Sequence, residues 1–101
     1  MTDDYLLKLS EDLVSLIRNL HPLIKEDIRS ALHFLVKNPH SGKALKEELH
    51  GLRSYRVKRY RVVCRIVAPE KFLEIIAIGP RKIIYEETFK IISTEIWGRL
   101  T

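Results

Sequence analysis

Between Gly51 and Ile66 the chain reads GLRSYRVKRYRVVCRI, with six cations, no acid and an almost unbroken series of β-forming residues. Valine, isoleucine and tyrosine fit a pleated strand better than a helix interior. The run therefore predicts two strands, at 54–57 and 60–67, with Lys58-Arg59 as the turn between them. That turn lacks the glycine or asparagine that two-residue hairpins favour, which leaves its register open. A third strand is expected at 72–78, after the turn Ala68-Pro69-Glu70-Lys71. It is apolar apart from Glu74, as befits a central strand with one face covered. Arg53, Arg56, Lys58, Arg59, Arg61 and Arg65 thus stand on or beside one small sheet.

The half before this run is helical. Tyr5-Leu6-Leu7-Lys8-Leu9 is short and apolar and suits an opening strand. Ser10 offers a capping hydroxyl, with Glu11 and Asp12 placed for a first helical turn. Leu13, Leu16, Ile17 and Leu20 recur at helical spacing, giving an amphipathic helix over roughly 10–20. His21-Pro22 breaks it and starts the next. Ile24, Ile28, Ala31, Leu32, Leu35 and Val36 carry that helix to about Lys37, where Asn38-Pro39 ends it. Residues 43–50 form a polar linker with room for one helical turn around Leu45 and Leu49. From Glu86 to about Arg99, the residues Phe89, Ile92, Ile96 and Trp97 lie on roughly one side of a terminal helix.

The expected fold is α+β: an N-terminal strand, a helical hairpin packed on an antiparallel sheet, and a C-terminal helix. At 101 residues the chain makes a single domain, 1–101, without internal repeat or long linker. With the helices on one sheet face, the arginines belong on the other face or in an edge groove.

Charge narrows the class of partner. The net charge is +5, and residues 43–82 hold eleven of the 18 lysines and arginines against four of the 13 acids. Such a block attracts nucleic acid or another acidic partner. The single cysteine, Cys64, excludes an internal disulfide and fits a reducing compartment. No signal sequence or membrane-length apolar segment is present, so a cytoplasmic location is expected. The four histidines and Cys64 have no metal-ligand spacing, and no metal or cofactor is expected. Cys64, in an apolar strand, reads as a small buried hydrophobe rather than a nucleophile.

Three motifs, in order, carry a family resemblance: Leu49-His50-Gly51-Leu52 before the sheet, Tyr60-Arg61-Val62-Val63-Cys64-Arg65-Ile66 in its middle, and Gly79-Pro80-Arg81-Lys82-Ile83-Ile84-Tyr85 at its end. Together they resemble the RelE/ParE superfamily of toxins from toxin–antitoxin pairs, over nearly the whole chain. For a RelE-type member the resemblance implies a metal-independent endoribonuclease that cuts mRNA on the translating ribosome. A ribose 2′-OH attacks the adjacent phosphate, leaving a 2′,3′-cyclic phosphate and inhibiting translation. Carried over by position, Tyr85 is the general base, while Arg61 and Arg81 stabilise the transition state. Arg56 and Lys58 bind phosphate, and strand alternation puts those two on one face. A phenol titrates near pH 10 in water, and cations beside it favour its anionic form, so a tyrosine among arginines suits a base.

Arg53, Arg59 and Arg65 read individually as a solvated face that adds long-range attraction to RNA. The implied partners are a cognate antitoxin, the ribosome and mRNA, with no membrane, and with DNA contact only through the antitoxin complex. The alternatives are a ParE-like inhibitor of DNA gyrase, or a catalytically degenerate basic module that only binds an antitoxin. Against these roles stand plainer ones: Tyr85 as an aromatic packing the last helix, and Arg81 as an ion-pair partner of Glu86 or Glu87.

Overall fold

A computed structural model describes the backbone of residues 4–100 and the side chains of residues 4–95. Five strands and three α-helices follow one another: β1 (Leu6–Lys8), α1 (Glu11–Arg18), α2 (Pro22–Lys37), β2 (Lys43–Ala44), β3 (Arg53–Val57), β4 (Tyr60–Val67), β5 (Phe72–Pro80) and α3 (Arg81–Leu100). Two 3-10 turns, Pro39–Ser41 and Glu47–Leu49, flank β2. The sheet order is β1-β5-β4-β3-β2. Strands β2 to β5 are antiparallel, whereas β1 lies parallel to β5. The fold is therefore α+β with a mixed sheet.

The local chemistry places the helices where the spacing does. The Ser10 hydroxyl accepts the Leu13 N–H at 3.2 Å and caps α1. His21 Nδ1 accepts the Leu23 N–H at 3.2 Å, and Pro22 opens α2. Leu13 of α1 and Ile28, Leu32 and Leu35 of α2 bury against Val62, Cys64, Leu73, Ile75 and Ile78 on one sheet face.

The opposite face is covered as well. There Leu52, Val63, Ile76, Ala77 and Ile84 form a second, smaller core, with Leu45, Leu49 and Ile92 packed against it. Strand β5 is thus buried on both faces, not one. Its run of isoleucines without polar alternation follows from that. A bulge helps: Val63 pairs with Ala77 and Cys64 with Ile75, so Ile76 is the extra residue in β5. It lets the consecutive residues Ile76 and Ala77 serve the same core.

The terminal helix begins at Arg81, five residues earlier than the apolar spacing from Glu86 suggests. Pro80 closes β5, and the helix starts at once after it. Phe89 is 47% exposed, so it does not join the core; Ile96 and Trp97 lie outside the residues whose side chains are described. Among the described residues, no helix is long and apolar enough to cross a membrane.

Candidate active site

Strand alternation divides the cations of β3 and β4 between the two sheet faces. Tyr55, Val57, Tyr60, Val62, Cys64 and Ile66 join the core under α1 and α2. Ser54, Arg56, Arg61, Val63 and Arg65 consequently belong to the face that carries α3. The register then sets Arg56 opposite Arg61, and Arg61 opposite Gly79. Gly79 is buried, with the Ile84 side chain of α3 over it, so the two guanidinium groups share a row on β3 and β4 that ends against the start of α3. Directly opposed like charges on a sheet cost roughly 0.2–1 kcal/mol. Among the described residues no carboxylate pairs with Arg56, Arg59, Arg61 or Arg81. Positive charge without a carboxylate partner in this way favours an anionic ligand.

Each of the two arginines spends one donor on nearby backbone. Arg56 Nε donates to the Lys58 carbonyl at 3.2 Å, and Arg61 Nη1 to the Tyr60 carbonyl at 3.2 Å. A guanidinium has five N–H donors in a planar fork, so four remain on each for phosphate oxygens. Arg81 opens α3, and its N–H donates to the Arg59 carbonyl at 3.2 Å. The start of the helix is thereby tied to the β3–β4 turn at the end of the arginine row. Tyr85 follows one helical turn later, on the same side of α3 as Arg81. Its hydroxyl lies 3.2 Å from Ser54 Oγ, two residues before Arg56 on β3. Tyr85 is 37% exposed, and so open to a ligand. Glu86 and Glu87 lie 3.8 and 3.9 Å from Lys90 and leave Arg81 alone.

The other sequence-expected cations are used differently. Lys58 is not on the face of Arg56: it sits in the turn with φ +55°, and its ammonium pairs with Asp27 of α2 at 2.8 Å. Alternation fails there because the strand has already ended at Val57. Arg53 lies on the hairpin side, where Nη1 donates to the carbonyls of His40 and Gly42 at 3.2 and 2.7 Å. Arg65 shares the α3 face but sits at its far end. Its Nε and Nη2 both donate to Glu74, at 2.9 and 2.7 Å, and Glu95 is 3.6 Å away. Burial opposes the Arg65 charge, but these carboxylates outweigh it and hold the guanidinium more firmly protonated. Arg59 is exposed in the turn and meets the site through its carbonyl alone.

Cys64 is fully buried under the hairpin, and desolvation pushes its thiol up to about 11 against the opposing pull of Arg53. That is the setting of a packing residue. A groove of about 740 Å³ runs between α1, β5 and α3, lined by Leu13, Leu16, Ile83 and Ile91 among others. Shape alone would select it, but it contains none of the arginines of the row. Among the described residues, no group of three or more His, Cys, Asp or Glu is placed to hold a metal. The residue that the sequence reading missed is Ser54. Its signal was available, since it precedes Arg56 by two and so shares its face.

The chain belongs to the family described as the ParE toxin of the type II toxin–antitoxin system parDE, whose model matches residues 5–85. It is accordingly a toxin of the RelE/ParE superfamily. Among solved structures it is similar to the RelBE2 toxin–antitoxin complex from Mycobacterium tuberculosis, at 26% identity and a TM-score of 0.69, covering 77% of this chain and 99% of that one. A mutant of the E. coli toxin RelE in the free state aligns at 18% identity and a TM-score of 0.68, over 86% and 96% of the two chains. The archaeal RelE–RelB complex from Pyrococcus horikoshii aligns at 21% identity and 0.64, over 77% and 96%. No curated protein matches the chain.

Proposed function

We propose that this toxin is a metal-independent endoribonuclease that cuts mRNA on the ribosome and so inhibits translation, and that a cognate antitoxin neutralises it. The observation that carries the reading is the row of Arg56 and Arg61, without carboxylate partners among the described residues, beside the Tyr85 hydroxyl. Such a row suits a phosphate whose charge spreads over its equatorial oxygens during in-line attack. The ribose 2′-oxygen bonds to phosphorus as the bond from phosphorus to the 5′-oxygen breaks. The products are a 2′,3′-cyclic phosphate and a 5′-hydroxyl. In this scheme Tyr85 takes the 2′ proton, Arg61 and Arg81 stabilise the charged phosphorane, Arg56 holds the adjacent phosphate, and the leaving oxygen takes a proton from water.

The match to the parDE family model favours a second reading, inhibition of DNA gyrase. The two readings separate on induced expression in a host lacking the antitoxin. The nuclease reading expects incorporation of labelled methionine to collapse within minutes while thymidine incorporation persists, and expects Arg81→Ala to restore growth. Thymidine incorporation failing first would transfer the assignment to gyrase.

A further inference from the structure

We infer that Ser54 is a positioning residue for the Tyr85 hydroxyl, a role that rests on the nuclease reading above. Ser54 is 6% exposed, and its Oγ stands 3.2 Å from the Tyr85 oxygen. A polar residue buried on a sheet face needs a partner for its hydroxyl, and here that partner is the residue assigned the proton. The serine itself cannot wander. It pairs with Lys43 of β2 on one side and Val63 of β4 on the other. The backbone at Gly42 comes so close that an added Cβ would stand 3.1 Å from the Ser54 carbonyl carbon and oxygen. Tyr85, by contrast, is more than a third exposed on the first turns of α3. The buried partner therefore orients the more exposed one, and holds the phenol oxygen beside the strand position two residues before Arg56.

The choice of a hydroxyl also matters. A serine Oγ has one donor and two acceptor lone pairs, and its hydrogen rotates to suit. It can donate to a phenolate and, after proton transfer, accept from the phenol. During the reaction the proton passes from the ribose 2′-OH to the Tyr85 oxygen. The serine keeps its own proton throughout and only turns it. A lysine or arginine at this position could donate but never accept, so it would serve just one of the two states. This separates the duties at the site: Arg56 and Arg61 face phosphate, while Ser54 faces the base.

The test is single-turnover cleavage on programmed ribosomes with four variants: Ser54→Ala, Ser54→Thr, Tyr85→Phe, and Ser54→Ala with Tyr85→Phe. Ser54→Ala is expected to slow the maximal rate roughly tenfold, the worth of a hydrogen bond to a charged group. The protein concentration giving half the maximal rate should not move. Ser54→Thr, which keeps the hydroxyl, should recover the rate to within about threefold, as rescue of a single hydrogen bond requires. In the Tyr85→Phe background Ser54→Ala should cost nothing further. If Ser54→Ala cuts as fast as the parent, or loses the same factor in the phenylalanine background, the inference is overturned. Should the alanine variant fail to fold, Ser54→Cys, nearly isosteric and a weak donor, is expected to show the same loss. A parent protein that leaves the message uncut sinks the nuclease reading itself, a result distinct from a cutting parent that is indifferent to Ser54.

Discussion

Of the seven cations from Arg53 to Arg81 that the sequence suggests for catalysis or phosphate contact, three are committed to other groups. Arg53 holds the carbonyls of His40 and Gly42, Lys58 pairs with Asp27, and Arg65 is bound by Glu74 and Glu95. Residue type alone does not separate them; the face each takes and its partners in the fold do, and those partners, Gly42, Asp27 and Glu95 among them, are distant in sequence. The separation has a measurable consequence. Arg61→Ala should lower the single-turnover cleavage rate by on the order of a hundredfold, the scale of losing a transition-state donor. Lys58→Ala, which removes an exposed ion pair worth well under about 1 kcal/mol, should stay within about twofold of the parent. Equal losses would mean that Lys58 leaves Asp27 for the phosphate.

Cys64 makes a second prediction at this scale. Its thiol is raised from 9.0 to about 11 in the folded protein, chiefly by desolvation. The folded chain therefore keeps the thiol proton at pH values where the unfolded chain has lost it. Stability from this source is complete below pH 9 and drains away as pH climbs towards 11. Urea midpoints from pH 8 to 10.5 should fall more steeply for the parent than for Cys64→Ala. Parallel slopes would show that the thiol is not desolvated.

Among the elements, the helical hairpin was legible because burial on one face imposes a period that the side chains display, and β3 to β5 because their β-forming runs are bounded by turns. The Leu13, Ile17 and Leu20 spacing and the Ile28, Leu32 and Leu35 spacing lead directly to the core under the sheet. Less legible was the start of α3. Lys82-Ile83-Ile84 follows a strand and carries β-branched residues, so local preference argued for continued extension. What overrides it is tertiary: Ile84 is 1% exposed in the second core, and the helix beginning at Arg81 carries it there. Tyr85 and Arg81 owe their shared side to that helix. The β2–β3 edge is similarly hidden in the sequence, since a two-residue strand leaves no periodic trace. Gly42 marks it. Gly42→Ala would drive a Cβ to 3.1 Å from the backbone of Ser54, and backbone cannot turn aside as a side chain can. It should cost about 1–3 kcal/mol of unfolding free energy, read from urea denaturation. An unchanged midpoint would show that this edge is loose.

For the whole molecule, the sheet divides two tasks between its faces. One face is closed by α1 and α2 and carries most of the buried apolar side chains. The other is shared between α3 and an open end where arginine pairing is left incomplete. Part of the charge surplus of residues 43–82, Arg56 and Arg61, is thus gathered on this face, whereas Arg53 and Lys58 turn to the hairpin side, and α3 is set so that its tyrosine meets the arginine row. That division could not be read from composition, which places the arginines in one block without saying which face each takes. The proposed function requires that this open end cut RNA within the ribosome. It is tested most directly by primer extension on a translating mRNA incubated with the purified protein, with and without ribosomes. New 5′ ends inside the A-site codon are expected only when ribosomes are present, and should vanish in Tyr85→Phe. Intact message from the folded parent on active ribosomes, or equal cutting by Tyr85→Phe, would contradict it.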